Sequence, residues 1–149
     1  MKYYFLLVSL LLAASISAQN DEVLVKQTIN TFFEGMETND TAKIRSTIDA
    51  TCFLKSIMVT KNGNTIIEEE KVDDFFAQVI KFKDVKVKEE LLSFDINIDG
   101  AMATAWTPYK IYFNDKFGHC GVNSFTMIKR NGIWKILGII DTRRKDGCN

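Results

Sequence analysis

The feature that most constrains this chain is the series of long strand-like runs in its C-terminal half. From Val85 onward, apolar and polar residues alternate, with interruptions at Asp99-Gly100, Asn114-Asp115-Lys116 and Asn131-Gly132. Such short polar and glycine segments are typical of tight hairpin turns. The pattern predicts four antiparallel strands, the last of them about ten to fourteen residues long, against a usual length of ~5–6. Strands of that length form a sheet that twists and curls strongly.

The N-terminal half has helical periodicity instead. A first helix is predicted to end near Gly35, and a short second helix runs from about Thr41 to Ile48. A hairpin with a two-residue turn at Asn62-Gly63 separates it from a third helix. The apolar helix faces are Val25, Ile29, Phe32, Phe33 and Met36 in the first helix and Val72, Phe75, Phe76, Val79 and Ile80 in the third.

Composition indicates a water-soluble globular chain with a single domain. Of 149 residues, 46% are hydrophobic and 26% are charged, and the 19 basic residues balance the 19 acidic ones. These values exclude disorder, collagen and coiled coils, and the absence of a basic excess argues against nucleic acid as a partner. One proline and eight glycines leave little material for a linker between domains.

Residues 1–18 have the layout of a secretory signal peptide. Lys2 gives a positive start, Phe5 to Ala14 is almost entirely apolar, and small residues precede Gln19. The apolar run is too short to span a bilayer. We therefore expect cleavage after Ala18, or alternatively after Ser17, and a single mature domain over residues 19–149. The expected location is periplasmic or secreted, with no membrane span.

The order of two helices, a hairpin, a helix and a strand meander resembles a known fold. Similar segments are Val25 to Asp40, Asn131 to Ile136, Phe117 to Asn123 and Asp141 to Arg144. The chain is similar to the nuclear transport factor two-like superfamily, which includes SnoaL-like polyketide cyclases and a putative lumazine-binding group, and it resembles the small secreted bacterial members. The resemblance implies an α+β cone of three N-terminal-half helices packed on a strongly curved, mainly antiparallel sheet of about six strands. It implies no single reaction, because members include isomerases, dehydratases, cyclases, transport factors and domains without known activity.

Two-residue turns would fix the register of the last strands. Side chains alternate between the two faces of a sheet, and a single bulge exchanges the faces beyond it. Turns at Asp115-Lys116 and Asn131-Gly132 predict the pairs Cys120–Arg143, Val122–Asp141, His119–Arg144, Tyr109–Val122 and Tyr112–His119. The predicted concave face, under the helices, carries Leu92, Phe94, Ile96, Ile98, Ala103, Ala105, Thr107, Tyr109, Ile111, Cys120, Val122, Ile128, Leu137, Ile139, Asp141 and Arg143. The predicted outer face carries Trp106, Tyr112, His119, Asn123, Phe125, Met127, Trp134, Ile136 and Ile140.

In this register an apolar stripe lies on the outer face. Such a patch is large for a monomer, so we predict a homodimer through the outer face of the sheet, as in dimers of the superfamily. A charge at Phe125 should then yield a monomer. The alternative is that the protein's own helices cover the stripe. Its members are Trp106, Phe125, Met127, Trp134 and Ile136.

Few residues are candidates for chemistry. His119 is the single histidine, and it is either structural or a general base. Asp141 is the candidate carboxylate for proton transfer, and its alternative role is an ion pair with Arg143. The predicted ligand anchors are Tyr109, Asp141 and Arg143, with Trp106 and His119 in reserve if the faces are exchanged. His119 and Cys120 point to opposite faces, so no metal site is predicted, and no cofactor motif is present.

Three cysteines in an exported chain allow one intramolecular disulfide and leave one thiol. Three pairings are possible. We favour Cys120 with Cys148, because Asp146-Gly147 can turn the tail back towards the strand that carries Cys120. Cys52 would then be a small core residue.

Two functions are consistent with these residues. The first is an exported pocket protein without a catalytic set, which binds a small apolar or aromatic molecule in the cone. The second is a SnoaL-like isomerase, dehydratase or cyclase that needs no cofactor and uses Asp141 or His119 as general base. We favour binding, because catalysis needs a second polar group facing the base and the sequence indicates only one.

Overall fold

The computed structural model describes the backbone of residues 2–148 and the side chains of residues 20–148. The predicted signal segment, residues 1–18, lies outside the residues with described side chains, and its cleavage stays a prediction. In the described part of the chain, no helix combines the length and the apolar character needed to cross a membrane. The elements are α1 (Lys2–Glu37), α2 (Thr41–Thr47), β1 (Ile48–Val59), β2 (Thr65–Glu70), α3 (Val72–Lys81), β3 (Val87–Leu91), β4 (Asp95–Asp99), β5 (Met102–Phe113), β6 (Lys116–Arg130) and β7 (Ile133–Arg143).

The seven described strands form one curved sheet in the order β2-β1-β7-β6-β5-β3, and β4 also pairs with β5. All neighbours are antiparallel except β1 and β7, which are parallel. The predicted α+β fold is confirmed, with seven strands where about six were expected. The additional strand arises because the run from Val85 to Asp99 breaks at Leu92–Phe94 into β3 and β4.

The core lies between the helices and the concave face of the sheet. Val25 and Ile29 of α1 are completely buried, and so are Phe125 and Met127 of β6. Burial of side chains of this size contributes ~1.5–3 kcal/mol each. The carboxylate of Asp21 accepts a hydrogen bond from Trp134 Nε1 at 3.0 Å, which attaches α1 to β7.

The first hairpin differs from its predicted turn. Val59 pairs with Thr65, so five residues connect β1 and β2. Gly63 alone in this loop has a positive φ, of 81°, whereas a two-residue turn at Asn62-Gly63 needs positive φ at both positions. The loop is closed instead by the bond from Gly63 N to Thr60 O at 2.9 Å.

The predicted register between β5 and β6 is wrong. The turn is Asn114-Asp115, both with positive φ, so Phe113 pairs with Lys116. One residue later Gly118 bulges out of the ladder, because Tyr112 pairs with Phe117 but Ile111 pairs with His119. This combination places His119 on the concave face beside Ile111.

A second bulge interrupts β7. The pairs from Arg130–Ile133 to Met127–Ile136 are those predicted. The next pair is Thr126–Gly138, so Leu137 is an extra residue without a partner in β6. Consequently Asn123, and not Val122, lies opposite Asp141. Cys120 bridges to Arg144 in place of Arg143.

These shifts correct the predicted faces. The β5 residues from Ala103 to Ile111 and the end of β7 are concave as predicted, but the assigned faces along β6 and at the start of β7 are exchanged. Four members of the predicted outer stripe therefore belong to the core under the helices, and only Trp106 is exposed, at 53%. The homodimer stays a prediction, but the stripe does not support it. The four core members are Phe125, Met127, Trp134 and Ile136.

Candidate functional site

The concave face holds a cavity of about 190 Å³ near the ends of β1 and β7. One wall is polar and comes from strands β1, β2, β3, β5, β6 and β7. The other wall is apolar and comes from α1 and α3 together with residues of the sheet. The apolar wall includes Phe32, Phe33 and Met36 of α1, Phe75 of α3, and Leu54, Ile111, Phe113 and Ile139 of the sheet.

Asp141 is the centre of the polar wall. Arg143, two residues further along β7 on the same face, donates from Nε to Asp141 Oδ2 at 2.8 Å. Ser56 lies beside Asp141 in the parallel neighbour β1, and its hydroxyl donates to Oδ1 at 2.5 Å. Both carboxylate oxygens of Asp141 are thus occupied. This matches the ion-pair alternative for Asp141 and Arg143.

Tyr109 and His119 extend this wall across β5 and β6. Tyr109 is almost completely buried, and its hydroxyl donates to the main-chain oxygen of Thr142 at 3.0 Å, with Asp141 Oδ2 at 3.4 Å. His119 Nε2 lies 3.1 Å from the same hydroxyl. A phenol has one hydrogen, and Tyr109 donates it to Thr142 in the shorter of its two contacts with acceptors. The Tyr109 oxygen then accepts from Nε2–H of His119, which leaves Nδ1 of the imidazole as an acceptor.

The electrostatics of this pair follow from burial. Burial lowers the pKa of His119, and the positive charge of Arg143 lowers it further, so the imidazole is neutral at pH 7. Burial also raises the pKa of Tyr109, and the charge of Asp141 adds to that effect. Both groups therefore act as neutral hydrogen-bonding partners.

Glu89 is a second carboxyl group in the cavity. It comes from β3, and Asn123 of β6 donates from Nδ2 to its Oε1 at 2.7 Å. Burial raises the pKa of Glu89 to about 7, the bond from Asn123 opposes that rise, and the charge of Asp141 adds to it. Near neutral pH this group therefore both accepts and releases protons.

The cavity adjoins a larger space of about 780 Å³ between β2 and α3. The two share Ser56, Phe75 and Arg143 among their lining residues. Acidic side chains dominate the polar lining of the outer space, which we call the mouth. They are Glu68, Glu69, Glu70 and Asp74.

The structure brings four of the five predicted ligand anchors to one cavity: Tyr109, His119, Asp141 and Arg143. Whether they bind a ligand stays a prediction. Trp106 is not among them, because alternation along β5 places it on the outer face, beside Asp95 and Ser124. In the register found here His119 belongs to the concave face and Trp106 does not.

Five polar residues of the cavity are absent from the predicted set: Lys55, Ser56, Glu70, Glu89 and Asn123. Glu89 alternates with Val87 and Leu91, so an inward carboxyl group was visible in the pattern of β3. Asn123 was placed on the outer face by the wrong register. Ser56 has no comparable signal, because buried and exposed residues do not alternate along most of β1.

The disulfide joins Cys120 to Cys148, the pairing favoured from the sequence, and its Cα atoms are 5.7 Å apart. Cys52 is a free, half-buried thiol whose pKa burial raises to about 11. Among the residues with described side chains, no group of three or more metal-ligating residues could hold an ion.

A family model described as putative lumazine-binding matches residues 20–138. The chain belongs to the putative lumazine-binding family. This family is part of the nuclear transport factor two-like superfamily that the sequence resembles. A comparison with curated proteins finds no match.

Solved structures agree on the fold. A nuclear transport factor two-like protein with a cystatin-like fold from Novosphingobium aromaticivorans has a TM-score of 0.72 at 13% identity, over 91% of this chain and 89% of that one. A putative dehydratase of this superfamily from Streptomyces avermitilis has a TM-score of 0.65 at 15% identity, over 85% and 98%. A putative scytalone dehydratase from Novosphingobium aromaticivorans has a TM-score of 0.67 at 8% identity, over 87% and 88%. Because these identities are low, the similarity to these structures shows a shared fold.

Proposed function

We propose that this protein binds a small, partly aromatic molecule in the concave cavity and acts as a pocket protein rather than an enzyme. The observation that carries the proposal is the division of the cavity into a polar wall around Asp141 and an aromatic wall around Phe75. A concave site with few polar groups on an apolar lining is the usual form of a small-molecule site. The family's description as lumazine-binding supports a flat heteroaromatic ligand.

Binding is favoured over catalysis by the state of Asp141. Its oxygens accept hydrogen bonds from Ser56 and Arg143, so the carboxylate is already engaged. A general base must lie within hydrogen-bond reach of the proton that it removes, and both oxygens of Asp141 already face donors of the protein. This arrangement suits Asp141 to holding Arg143 and Tyr109 in position, and not to removing a proton from a ligand.

We further propose that the protein acts after export, in the periplasm or outside the cell. The signal-like segment 1–18 motivates this proposal. The disulfide Cys120–Cys148 supports it independently, because disulfides persist in oxidising compartments and are rare in the cytosol. Intact-mass measurement of the exported form should give a chain that begins at Gln19.

A second candidate is a cofactor-independent isomerase, dehydratase or cyclase. The observation that favours it is the neutral His119, hydrogen-bonded through Nε2 to Tyr109 and retaining Nδ1 as an acceptor. An imidazole of that kind can act as a general base. Two of the similar solved structures described above are putative dehydratases, which is consistent with this candidate.

Binding is tested by native mass spectrometry of the purified protein and by thermal shifts with aromatic fragments, lumazine among them. Ile139→Phe fills the cavity, whereas Ile140→Phe adds the same atoms on the outer face and serves as the control. We expect adducts and shifts in the wild type and in Ile140→Phe but not in Ile139→Phe. If no adduct or shift depends on Ile139, the proposal is wrong.

Catalysis is tested with phenylacetone in deuterium oxide. A general base in the cavity would exchange the protons next to the ketone, and nuclear magnetic resonance would follow the loss of their signals. If the protein only binds, exchange stays at the buffer rate. Exchange that is fast in the wild type and lost in His119→Gln would favour the enzyme instead.

A further inference from the structure

Glu89 makes no ion pair with the basic residues of its cavity, although the charge of Arg143 slightly lowers its pKa. Its hydrogen bond within the described residues comes from the neutral amide of Asn123 at 2.7 Å. None of the ion pairs of the described side chains includes it. Glu89 is half-buried, and a carboxyl group held in a cavity without a cation is costly, which makes it a candidate for binding a ligand.

The basic side chains that line the cavity are already neutralised. Arg143 is paired with Asp141 at 2.8 Å, and Lys55 is paired with Glu69 at 3.3 Å. His119 is neutral because burial lowers its pKa. After these pairs cancel, the uncompensated side chains of the cavity and its mouth are all acidic: Glu68, Glu70, Asp74 and Glu89.

The cavity that Glu89 lines also has an aromatic wall. Phe32 and Phe75 are stacked with ring centroids 5.9 Å apart, and Phe33 meets Phe32 edge to face at 5.3 Å. Rings of this kind pack against an aromatic body and also attract a cation through their faces. The cavity therefore combines an aromatic surface with an excess of negative charge.

We propose that the ligand of this cavity is a protonated arylalkylamine, with its ammonium group bound to Glu89 and its ring against Phe32, Phe33 and Phe75. This inference rests on the proposed function and specifies the chemical class of the ligand. The acidic mouth favours the approach of such a cation through long-range attraction.

Binding of a cation at Glu89 is coupled to protons. In the free protein burial raises the pKa of this carboxyl group to about 7, so the group is partly protonated near neutral pH. A bound ammonium group favours the ionised form, and binding then releases part of a proton near pH 7. Affinity should rise between pH 6 and pH 8. The other titratable side chains that line the cavity are Lys55, Glu70, Tyr109, His119, Asp141 and Arg143.

Calorimetry with three matched probes tests the proposal. Phenethylamine is cationic, 2-phenylethanol is its neutral counterpart, and 3-phenylpropionate is anionic. We expect affinity to fall in that order, with phenethylamine at least tenfold above the alcohol. Titrations of phenethylamine in buffers of different ionisation enthalpy should report proton release.

Glu89→Gln keeps the shape of the side chain and removes its charge. We expect it to lower the affinity for phenethylamine roughly tenfold to a hundredfold and to leave the affinity for 2-phenylethanol unchanged. Glu90→Gln is the matched control, because Glu90 is the next residue of β3 and is exposed. It should leave all three affinities and the proton release as in the wild type.

The possible failures are distinct. Equal binding of the amine and the alcohol, or proton uptake in place of release, overturns the cationic ligand but leaves the pocket function if Ile139→Phe abolishes both. Tightest binding of 3-phenylpropionate also overturns it, and indicates that Arg143 selects the ligand. Absence of binding by all three probes overturns the inference, while the Ile139 and Ile140 comparison judges the proposed function separately.

Discussion

The Tyr109 hydroxyl reaches the main-chain oxygen of Thr142 by passing over Gly121, its partner in the β5–β6 ladder. A Cβ atom at position 121 would lie 1.7 Å from that oxygen and 2.9 Å from the Tyr109 ring. The absence of a side chain at this one position therefore allows β7 to bring Asp141 against Tyr109. The polar wall of the cavity depends on this close approach.

Gly121→Ala should therefore disturb both stability and the site. The backbone of β7 must move away from β6, and we expect this to lower the free energy of unfolding by ~1–3 kcal/mol. Chemical denaturation and the nuclear magnetic resonance signals of the His119 ring would report the two effects. Gly132→Ala, where an added Cβ meets no atom within 4 Å, should lower stability through its backbone conformation but leave the His119 signals unchanged. Unchanged His119 signals in Gly121→Ala would contradict this account.

The fold could be predicted further from the sequence than the site. Helical periodicity and turn residues fix which elements form, and they correctly predicted three helices on a curved sheet. The site depends on which face of the sheet each side chain occupies, and one extra residue in a strand exchanges the two faces beyond it. The extra residue Gly118 moves both His119 and Phe125 to the concave face, and the extra residue Leu137 returns Asp141 to that same face.

Neither bulge has a local signature strong enough to predict it. A glycine within a strand suggests a bulge, but β6 also contains Gly121, which is paired normally. Leu137 has an ordinary strand residue type. Directly after the bulge, Gly138 leaves room for the Phe53 ring of β1, because a Cβ atom at this position would lie 2.1 Å from that ring. A contact between residues so far apart in sequence is not visible in any local pattern.

The disulfide should stabilise the tail and the whole domain. It links residues 28 positions apart. For a loop of that length, the loss of unfolded-state entropy predicts ~3–4 kcal/mol of stabilisation. We expect the double variant Cys120→Ala/Cys148→Ala to lose this amount in denaturant unfolding. Cys52→Ala, the control, should keep the disulfide in non-reducing mass mapping. Equal stability of the double variant and the wild type would show that the disulfide contributes nothing.

Asp49 should contribute to stability above the acid range. Its hydrogen bonds from the side chain and main chain of Thr51, together with Arg130, lower its pKa from 3.8 to about 2. Between these values the unfolded chain binds more protons than the folded one, so this stability is present above about pH 4 and is lost as the pH falls towards 2. In Asp49→Asn the pH dependence in this window should be shallower, as measured by unfolding at several pH values. Asp99→Asn, at an exposed position in β4, should retain the wild-type slope.

Glu89 should have the opposite effect on the ligand-free protein. Burial raises its pKa from 4.5 to about 7, so the folded state binds more protons than the unfolded state between these values. Stability should therefore fall as the pH rises from about 4.5 to 7. Glu89→Gln should remove this decrease in thermal unfolding, and Glu90→Gln should not. A decrease that persists in Glu89→Gln would place the responsible group elsewhere.

The last prediction concerns the two faces of the sheet. Phe125 is completely buried under the helices, so Phe125→Asp would introduce an unpaired charge in the core and not at an interface. We expect it to cost more than ~4 kcal/mol and to unfold much of the protein, instead of giving the folded monomer expected from the sequence.

Trp106 is the matched position on the outer face, 53% exposed and opposite Ser124. Trp106→Asp should leave the circular dichroism spectrum and the melting temperature close to those of the wild type. If the predicted homodimer uses this face, the same variant should halve the mass measured by light scattering, because a desolvated carboxylate at an interface is costly. A wild type that is monomeric at high micromolar concentration would end the dimer prediction. A folded Phe125→Asp protein would instead contradict the assignment of the faces.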